Sequence, residues 1–317
     1  MNPETRNLVA AICLSMAVLV GYQMLFGKAP EDQTKNDTGA SKVAEINNEP
    51  SIDLPKEETE DIFVEKKKKN FKKIPRVKIL NNELIGSISL IGARIDDLTL
   101  VNYRKTLDPE SDQIRFLKKT NGEQPFFAQF GWSSPDDVHV PNGNTVWETS
   151  GKLINPDKSI TLKWENNQGI KFFQKISIDD NFMIKVEQKV INKTNNKIKL
   201  YPYGLIRRSG EPVTTDFFVL HEGPLGVFDG SLTEKSYADL KESGKRGLTF
   251  TPEKLGGWIG ITDKYWMAAL VPDQSKKSKF TYRYINSNRS YQTDYLGQLS
   301  VIPANSESVV TSRVFSG

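Results

Sequence analysis

The sequence predicts a mainly β fold of antiparallel strands, with one short helix inserted, preceded by a single transmembrane helix. Two observations support this prediction: one long apolar run stands at the N-terminus, and short segments of alternating apolar and polar residues fill the last three quarters of the chain. A polar stretch separates the two. The chain therefore divides into an N-terminal anchor over residues 1–27, a flexible charged linker over 28–75 and a β domain over 76–317.

The apolar run begins at Leu8 and ends at Phe26. A helix of that length spans about 28 Å, close to the roughly 30 Å thickness of the hydrocarbon core of a bilayer. No second stretch of comparable length follows, so the run predicts a single-pass anchor whose partner is the lipid bilayer. The Lys and Arg residues on its two sides do not decide its orientation.

Two other interpretations of the run are less favoured. Gly27 and Ala29 supply a small-x-small cleavage triplet for a secretory signal, but Pro30 would follow the cut. A lipoprotein would carry its acylated cysteine at the end of the run, whereas Cys13 follows Ile12 and the run continues beyond it. Retention of the helix is the preferred prediction.

Composition excludes several classes of function. The net charge is only +4, and basic and acidic residues are mixed, which argues against nucleic acid as a partner. Cys13 is the only cysteine, so disulfides and thiolate metal sites are excluded and no cofactor or metal is predicted.

The linker is poor in aromatic residues and carries an acidic block followed by a run of four lysines, residues 66–69. This charge pattern describes either a solvated tether or a basic patch that touches anionic headgroups.

The alternating segments predict strands. Ile176 and Ile178 alternate with polar residues, as do Ile184 and Val186. Turn residues at 179–181 and 192–196 bound these segments and predict hairpins.

One helix is predicted over residues 233–243, as a surface insertion between strands. Ser231 and Glu234 have capping-box spacing at its start, and Gly244 follows its end.

Several segments resemble, in family order, the N-terminal part of the bacterial membrane protein insertase YidC. They are the opening MNPETRNLVAAICLSMAVLVGYQMLFG, LIGSISLIGARIDDL from Leu84, FGW from Phe130, YPYGLIRRSGEP from Tyr201, HEGPLGVFDGSL from His221 and GGWIGITDKYWMAALVPDQ from Gly256.

The resemblance implies a β-supersandwich similar to galactose mutarotases, held in the periplasm by an inner-membrane helix whose N-terminus is cytoplasmic. It implies a role in the insertion and folding of inner-membrane proteins, with nascent membrane proteins and Sec translocon subunits as partners. In the family, the equivalent of Gly317 leads into five further transmembrane helices that form the insertion groove. We therefore expect this chain alone to lack that groove.

The fold analogy also suggests a membrane-anchored periplasmic protein that binds or epimerises sugars. Mutarotase chemistry needs histidines and a carboxylate in one cleft. His139 and His221 are the only histidines, and each is more simply a structural residue, so no catalytic residue is predicted.

A binding role without chemistry is the more plausible use of a cleft. The candidate cleft or ligand contacts are Trp132, Tyr201, Tyr203, Arg207, Arg208, Trp258, Tyr265 and Trp266. Packing in the core or at its rim is the alternative role for most of these aromatic residues. Arg207 and Arg208 are adjacent in a strand, so their side chains are predicted to point to opposite faces, with one buried in an ion pair and the other facing solvent.

Overall fold

A computed structural model describes residues 74–212 and 221–317. The predicted anchor and linker lie outside these ranges, apart from the last two linker residues. Within the ranges, no helix has the length and apolar character needed to cross a membrane.

The described residues form twenty strands, one α-helix and two 3-10 turns. The first ten strands are β1 Arg76–Leu80, β2 Leu84–Ser89, β3 Arg94–Arg104, β4 Gln113–Leu117, β5 Phe126–Ser133, β6 Glu148–Thr149, β7 Leu153–Ile154, β8 Ile160–Glu165, β9 Ile170–Ile178 and β10 Met183–Asn192.

The remaining strands are β11 Ile198–Ser209, β12 Gly223–Phe228, β13 Ser231–Glu234, β14 Leu248–Phe250, β15 Trp258–Thr262, β16 Met267–Val271, β17 Ser278–Ile285, β18 Ser290–Gly297, β19 Ser300–Ile302 and β20 Glu307–Ser316. Helix α1 is Tyr237–Glu242, and the 3-10 turns are Gly244–Arg246 and Asn286–Asn288.

The strands form two sheets. The large sheet has eleven strands in the order β14-β17-β18-β11-β5-β3-β2-β1-β7, with β19 paired to β11 and β4 paired to β3. The small sheet has nine, in the order β13-β12-β15-β16-β20-β10-β9-β8-β6. Neighbouring strands are antiparallel except β1 and β7, which pair in parallel. The predicted mainly β, antiparallel fold is confirmed.

The two predicted hairpin turns have different outcomes. Residues 179–181 join β9 to β10 in one sheet, and the Asp179 carboxylate accepts hydrogen bonds from the backbone N–H groups of Asn181 and Met183. Residues 192–196 instead carry the chain from the small sheet to the large one, so the hairpin predicted there is wrong. The buried Asn192 side chain holds this crossover by donating to the carbonyl groups of Asn196 and Pro303, at 2.8 and 2.9 Å. Both segments begin with a side-chain oxygen that accepts from the N–H two residues later, of Asn181 and of Thr194, so this local bond does not distinguish a hairpin from a crossover.

One hydrophobic core joins the sheets, because the main cluster of buried apolar residues draws on both. Two small-sheet glutamines also cross it. The Gln174 side chain donates to the carbonyl of Phe130 at 2.9 Å, and Gln188 donates to that of Gly131 at 2.8 Å. These bonds satisfy two β5 carbonyl groups inside the core, where an unpaired carbonyl is costly.

The inserted helix exists but starts later than predicted. Its N-cap is Ser236, whose hydroxyl accepts from the N–H of Asp239, while the Asp239 carboxylate accepts from the N–H of Ser236. Ser231 and Glu234 have the same spacing but lie in β13, where their backbone pairs with β12 in the sheet and is not helical. The helix buries Tyr237 and Leu240, so its inner side packs on the domain.

Candidate functional site

The large sheet has one strongly polar face. Register pairing sets Leu205 opposite both Gln129 and Asp294, and Arg207 opposite Gln292. Side chains directly opposite in a sheet lie on the same face. We call this set the polar face, and its members are Arg94, Gln129, Arg207, Arg283, Gln292 and Asp294.

Hydrogen bonds link these side chains across three strands. Arg207 donates from Nε and Nη2 to Oε1 of Gln292, at 2.9 and 2.6 Å. Gln292 Nε2 donates to Oδ2 of Asp294 at 2.7 Å, and Arg283 Nη2 donates to Oδ1 of the same carboxylate at 3.2 Å. The amide of Gln292 thus connects a guanidinium to a carboxylate that a second guanidinium also holds.

A second pair continues the face toward β3. Arg94 Nε donates to Oε1 of Gln129 at 3.2 Å, and its guanidinium carbon lies 5.0 Å from the centre of the Phe127 ring. Both polar side chains are buried. The polar face therefore extends, largely buried, from β17 to β3.

Burial governs the electrostatics of the polar face. It lowers the pKa of Arg207 to about 10, so the guanidinium remains protonated at neutral pH. Burial also raises the pKa of Asp294, whereas Arg283 and Gln292 act to lower it. Since a charge out of water is costly unless it is paired, loss of one partner would leave the other charge buried and unpaired. Each of these polar side chains is already hydrogen-bonded or ion-paired to a neighbour. The arrangement therefore suits rigid binding of polar groups better than proton transfer.

The polar-face side of the sheet holds three of the predicted contact residues. Tyr203 lies opposite Gly131 and packs with Phe127, Leu205 and Leu296 in a small second cluster. A side chain at Gly131 would meet the Tyr203 ring at 2.6 Å, so this glycine makes room for the ring. Arg207 belongs to the polar face itself, and strand alternation puts Tyr201 on the same side.

The other face of the large sheet holds Trp132 and Arg208. Trp132 is 1% exposed and belongs to the main core. Arg208 forms an ion pair with Asp263, and its guanidinium carbon lies 5.1 Å from the centre of the Phe126 ring. Burial raises the pKa of Asp263, and the charge of Arg208 opposes that rise.

The prediction that only one of the two adjacent arginines is buried is wrong. Arg207 is 8% exposed and Arg208 is 7% exposed. The central strands β5 and β11 are covered on both faces, so their alternation no longer separates buried positions from solvated ones.

The last three predicted contacts lie along and beyond β15. Trp258 begins that strand and pairs with Val227. Tyr265 lies in the turn after its other end and is 72% exposed, and the neighbouring Trp266 has its ring centre 4.8 Å from that of Tyr103. The predicted set is therefore divided among several places rather than gathered in one cleft.

The histidines have local contacts. The His139 ring lies 5.4 Å from the Trp164 ring, edge to face, and Nε2 of His221 lies 3.2 Å from the carbonyl oxygen of Pro224. Neither contact involves a carboxylate placed for acid-base chemistry. Among the described residues, no group of three or more His, Cys, Asp and Glu side chains is arranged to hold a metal ion.

Five members of the polar face were not predicted from the sequence: Arg94, Gln129, Arg283, Gln292 and Asp294. A signal was present, because Gln292 and Asp294 stand two residues apart in a segment with tyrosines at 291 and 295. That spacing puts two polar groups on one side of a strand.

Two antiparallel sheets around one core define the fold class as a galactose mutarotase-like β-supersandwich. Among solved structures, a galactose mutarotase-related enzyme from Lactobacillus acidophilus matches with a TM-score of 0.53 and 11% identity, over 76% of this chain and 97% of that one. At that identity the match shows the fold alone.

Sequence comparison gives the family. The YidC periplasmic domain family matches residues 76–317. The membrane protein insertase YidC of Rickettsia akari is 34% identical and that of Rickettsia prowazekii 35% identical, each over 320 residues. The chain belongs to the YidC family, and it spans 56% of the length of each of these two relatives, which cover 100% of this chain.

Proposed function

We propose that this chain is the membrane anchor and periplasmic domain of a YidC-type insertase, which supports the insertion and folding of inner-membrane proteins. The observation that carries the proposal is the family match over residues 76–317, together with insertase relatives that align with the whole chain. Because the chain spans 56% of those relatives, the contribution we propose for these residues is tethering and binding.

The proposed topology combines the apolar run in the sequence with the orientation that the YidC family implies. The run from Leu8 to Phe26 spans the inner membrane once, with a cytoplasmic N-terminus, residues 28–75 as the tether and residues 76–317 in the periplasm. Leu255 is 60% exposed and, in a chain with Cys13→Ser, offers a site for a single cysteine. A membrane-impermeant thiol reagent applied to spheroplasts labels Leu255→Cys in this topology. Labelling only after the membrane is opened contradicts it.

The polar-face side of the large sheet is the proposed site of contact with polar parts of a nascent chain, with the partly exposed Tyr201 as the contact and the buried Tyr203 and Arg207 supporting it. Catalysis is not part of the proposal. Polarimetry with aldoses and calorimetry with a panel of glycans test the sugar-binding alternative. If the chain catalyses mutarotation and the His139→Ala or His221→Ala variant loses this activity, the chain is an enzyme and our proposal is wrong.

Contact with the Sec translocon is proposed through the outer side of α1. Ala238 and Glu242 are exposed there, whereas Tyr237 and Leu240 are buried. Substituting Ala238→Arg and Glu242→Arg therefore changes the surface without removing the core contacts. We expect weaker crosslinking to Sec subunits, and unchanged crosslinking contradicts this docking surface.

The direct test of function is depletion of the protein from its own bacterium. We expect a newly made inner-membrane protein to remain accessible to protease, and the full-length gene to restore its insertion. Unimpaired insertion after depletion contradicts the proposal. A gene that lacks the codons for residues 76–317 then measures the contribution of this domain.

A further inference from the structure

One end of the sandwich is a closed ring of five segments. They are residues 80–85, 102–107, 179–183, 263–267 and 315–317, and we call them the rim. They include three hairpin turns, the end of β3 with the residues that follow it, and the end of β20.

Side-chain hydrogen bonds join the first half of the ring. Asn81 Nδ2 donates to the backbone carbonyls of Asp179 and Asn181, at 2.7 and 2.8 Å. Asn102 Nδ2 donates to the carbonyl of Asn82 at 3.3 Å. These bonds tie the β1–β2 turn to the β9–β10 turn on one side and to the end of β3 on the other.

The second half of the ring closes through the backbone and one ring pair. Ser316 N–H donates to the carbonyl of Phe182 at 3.1 Å, and Gly317 N–H donates to that of Met267 at 3.1 Å. The Trp266 ring then meets the Tyr103 ring at 4.8 Å. The five segments therefore form one continuous surface.

This surface exposes large apolar side chains. Leu107 is 103% exposed, Tyr265 72%, Leu80 47%, Ile85 45% and Tyr103 41%. Leu80 and Ile85 are also direct cross-strand partners. Single exposed apolar residues are ordinary, but a group of them on one continuous end of a domain marks an interaction surface.

The composition of the rim fits the interface of a bilayer. Tyrosine and tryptophan combine an apolar ring with a polar tip and are enriched at the headgroup level of membranes. Lys264 Nζ lies 5.2 Å from the centre of the Tyr265 ring, the arrangement of a snorkelling cation beside an aromatic residue. Leu107 lies in the loop between β3 and β4 and is fully exposed, so its side chain is available to enter the interface.

Electrostatic attraction does not bring the rim to the membrane surface. The basic side chains of the rim and the adjoining β3–β4 loop are outnumbered by acidic ones: Arg104, Lys105 and Lys264 against Glu83, Asp108, Glu110, Asp112, Asp179, Asp180 and Asp263. An anionic headgroup layer would repel such a surface. On a zwitterionic bilayer, contact therefore comes from apolar insertion and is weakly sensitive to salt, whereas anionic lipid opposes it.

A bilayer is always within reach of the rim, given the proposed anchor. A flexible linker of the length predicted for residues 28–75 would have a root-mean-square reach of roughly 40 Å. Tethering at that distance raises the effective concentration of the membrane surface, so weak contacts suffice. A lipid surface is thus the partner that this chain itself supplies.

We propose that the rim rests on the lipid interface of the bilayer that anchors the chain, with Leu107 and Tyr265 inserted among the headgroups. This contact orients the domain, so that the end with the β15–β16 turn faces the membrane. The proposal rests on the anchoring proposed above.

The test uses the full chain in vesicles of zwitterionic lipid that contain a nitroxide-labelled lipid. In a Cys13→Ser background, an environment-sensitive fluorophore is attached to Leu107→Cys or to the control Leu255→Cys. Leu255 is also exposed, at 60%, but precedes β15 instead of following it. We expect at least twofold more quenching at 107 than at 255, unchanged in high salt, and a loss of that excess when Tyr265→Asp is added.

Each outcome decides the proposal. Equal quenching at the two positions contradicts rim contact while leaving the anchor intact, and failure of the chain to float with the vesicles contradicts the anchor and the rim contact together. A photoreactive residue at Tyr265 in native membranes provides the second measurement. Lipid adducts support the proposal, whereas adducts to a protein in place of lipid assign the rim to a protein partner and overturn it.

Discussion

At the scale of single residues, the polar face shows how charge is kept inside a β domain. Asp294 is 2% exposed and lies between the guanidinium of Arg283 and the amide of Gln292. Burial of a lone carboxylate would be prohibitive, so the partners determine whether the ionised form is tolerated. The same network fixes the orientation of Arg207 through Gln292.

Asp294→Asn should destabilise the fold by about 3 kcal/mol, because it leaves the Arg283 charge largely buried without its counterion. Urea unfolding of the purified chain measures this change. The double variant Asp294→Asn with Arg283→Met should lose less than the sum of the two single variants, since both remove one interaction. Simple additivity would mean that the pair is not coupled.

At the scale of elements, the sequence predicts that helix α1 exists but not the residue at which it begins. Both Ser231 and Ser236 are followed three residues later by an acidic residue, so the sequence offers two capping boxes. Only the pairing of residues 231–234 with β12 decides between them. That contact is tertiary, and local spacing carries no information about it.

Ser236→Ala should therefore destabilise the domain by about 1 kcal/mol, because the N–H of Asp239 loses its acceptor. Ser231→Ala is the matched control, since Ser231 is exposed in β13 and caps nothing, and we expect a change of no more than about 0.5 kcal/mol. Thermal unfolding of both variants measures the difference. A larger effect at Ser231 would support the helix start first predicted.

The packing of α1 also predicts a pH dependence. Hydrogen bonds from Lys241 and Tyr291 lower the pKa of Glu211 below its ordinary value of 4.5. A lowered folded-state pKa stabilises the fold above the unfolded value, and this stabilisation is lost as the pH falls through the folded value. Relative to Glu211→Gln, the native chain should be more stable at neutral pH, and this advantage should disappear at acid pH. An advantage that is independent of pH would contradict the ion pair with Lys241.

At the scale of the whole molecule, strand periodicity in the sequence predicts the class of fold but not the division into sheets. Ile176, Ile178, Ile184 and Val186 are buried as their alternation requires. The crossover after Asn192 and the double coverage of β11 were not predictable, because both depend on which strands become neighbours. The positions of the candidate contacts were not predictable for the same reason. An aromatic residue in the sequence indicates burial, but it does not indicate which face of which sheet the side chain lies on.

The shared core predicts that the two sheets unfold together. Trp132 lies in the large sheet and Trp164 in the small one, and Gln174 and Gln188 bond across the core to the strand that holds Trp132. Fluorine resonances of 5-fluorotryptophan at these two positions should therefore disappear at one urea concentration. Gln188→Leu should lower the free energy of unfolding by about 1–3 kcal/mol, because the Gly131 carbonyl loses its donor inside the core. Both urea midpoints should therefore fall by the same amount. If the variant lowered only the Trp164 midpoint, the sheets would be separate cooperative units and the cross-core bonds would not couple them.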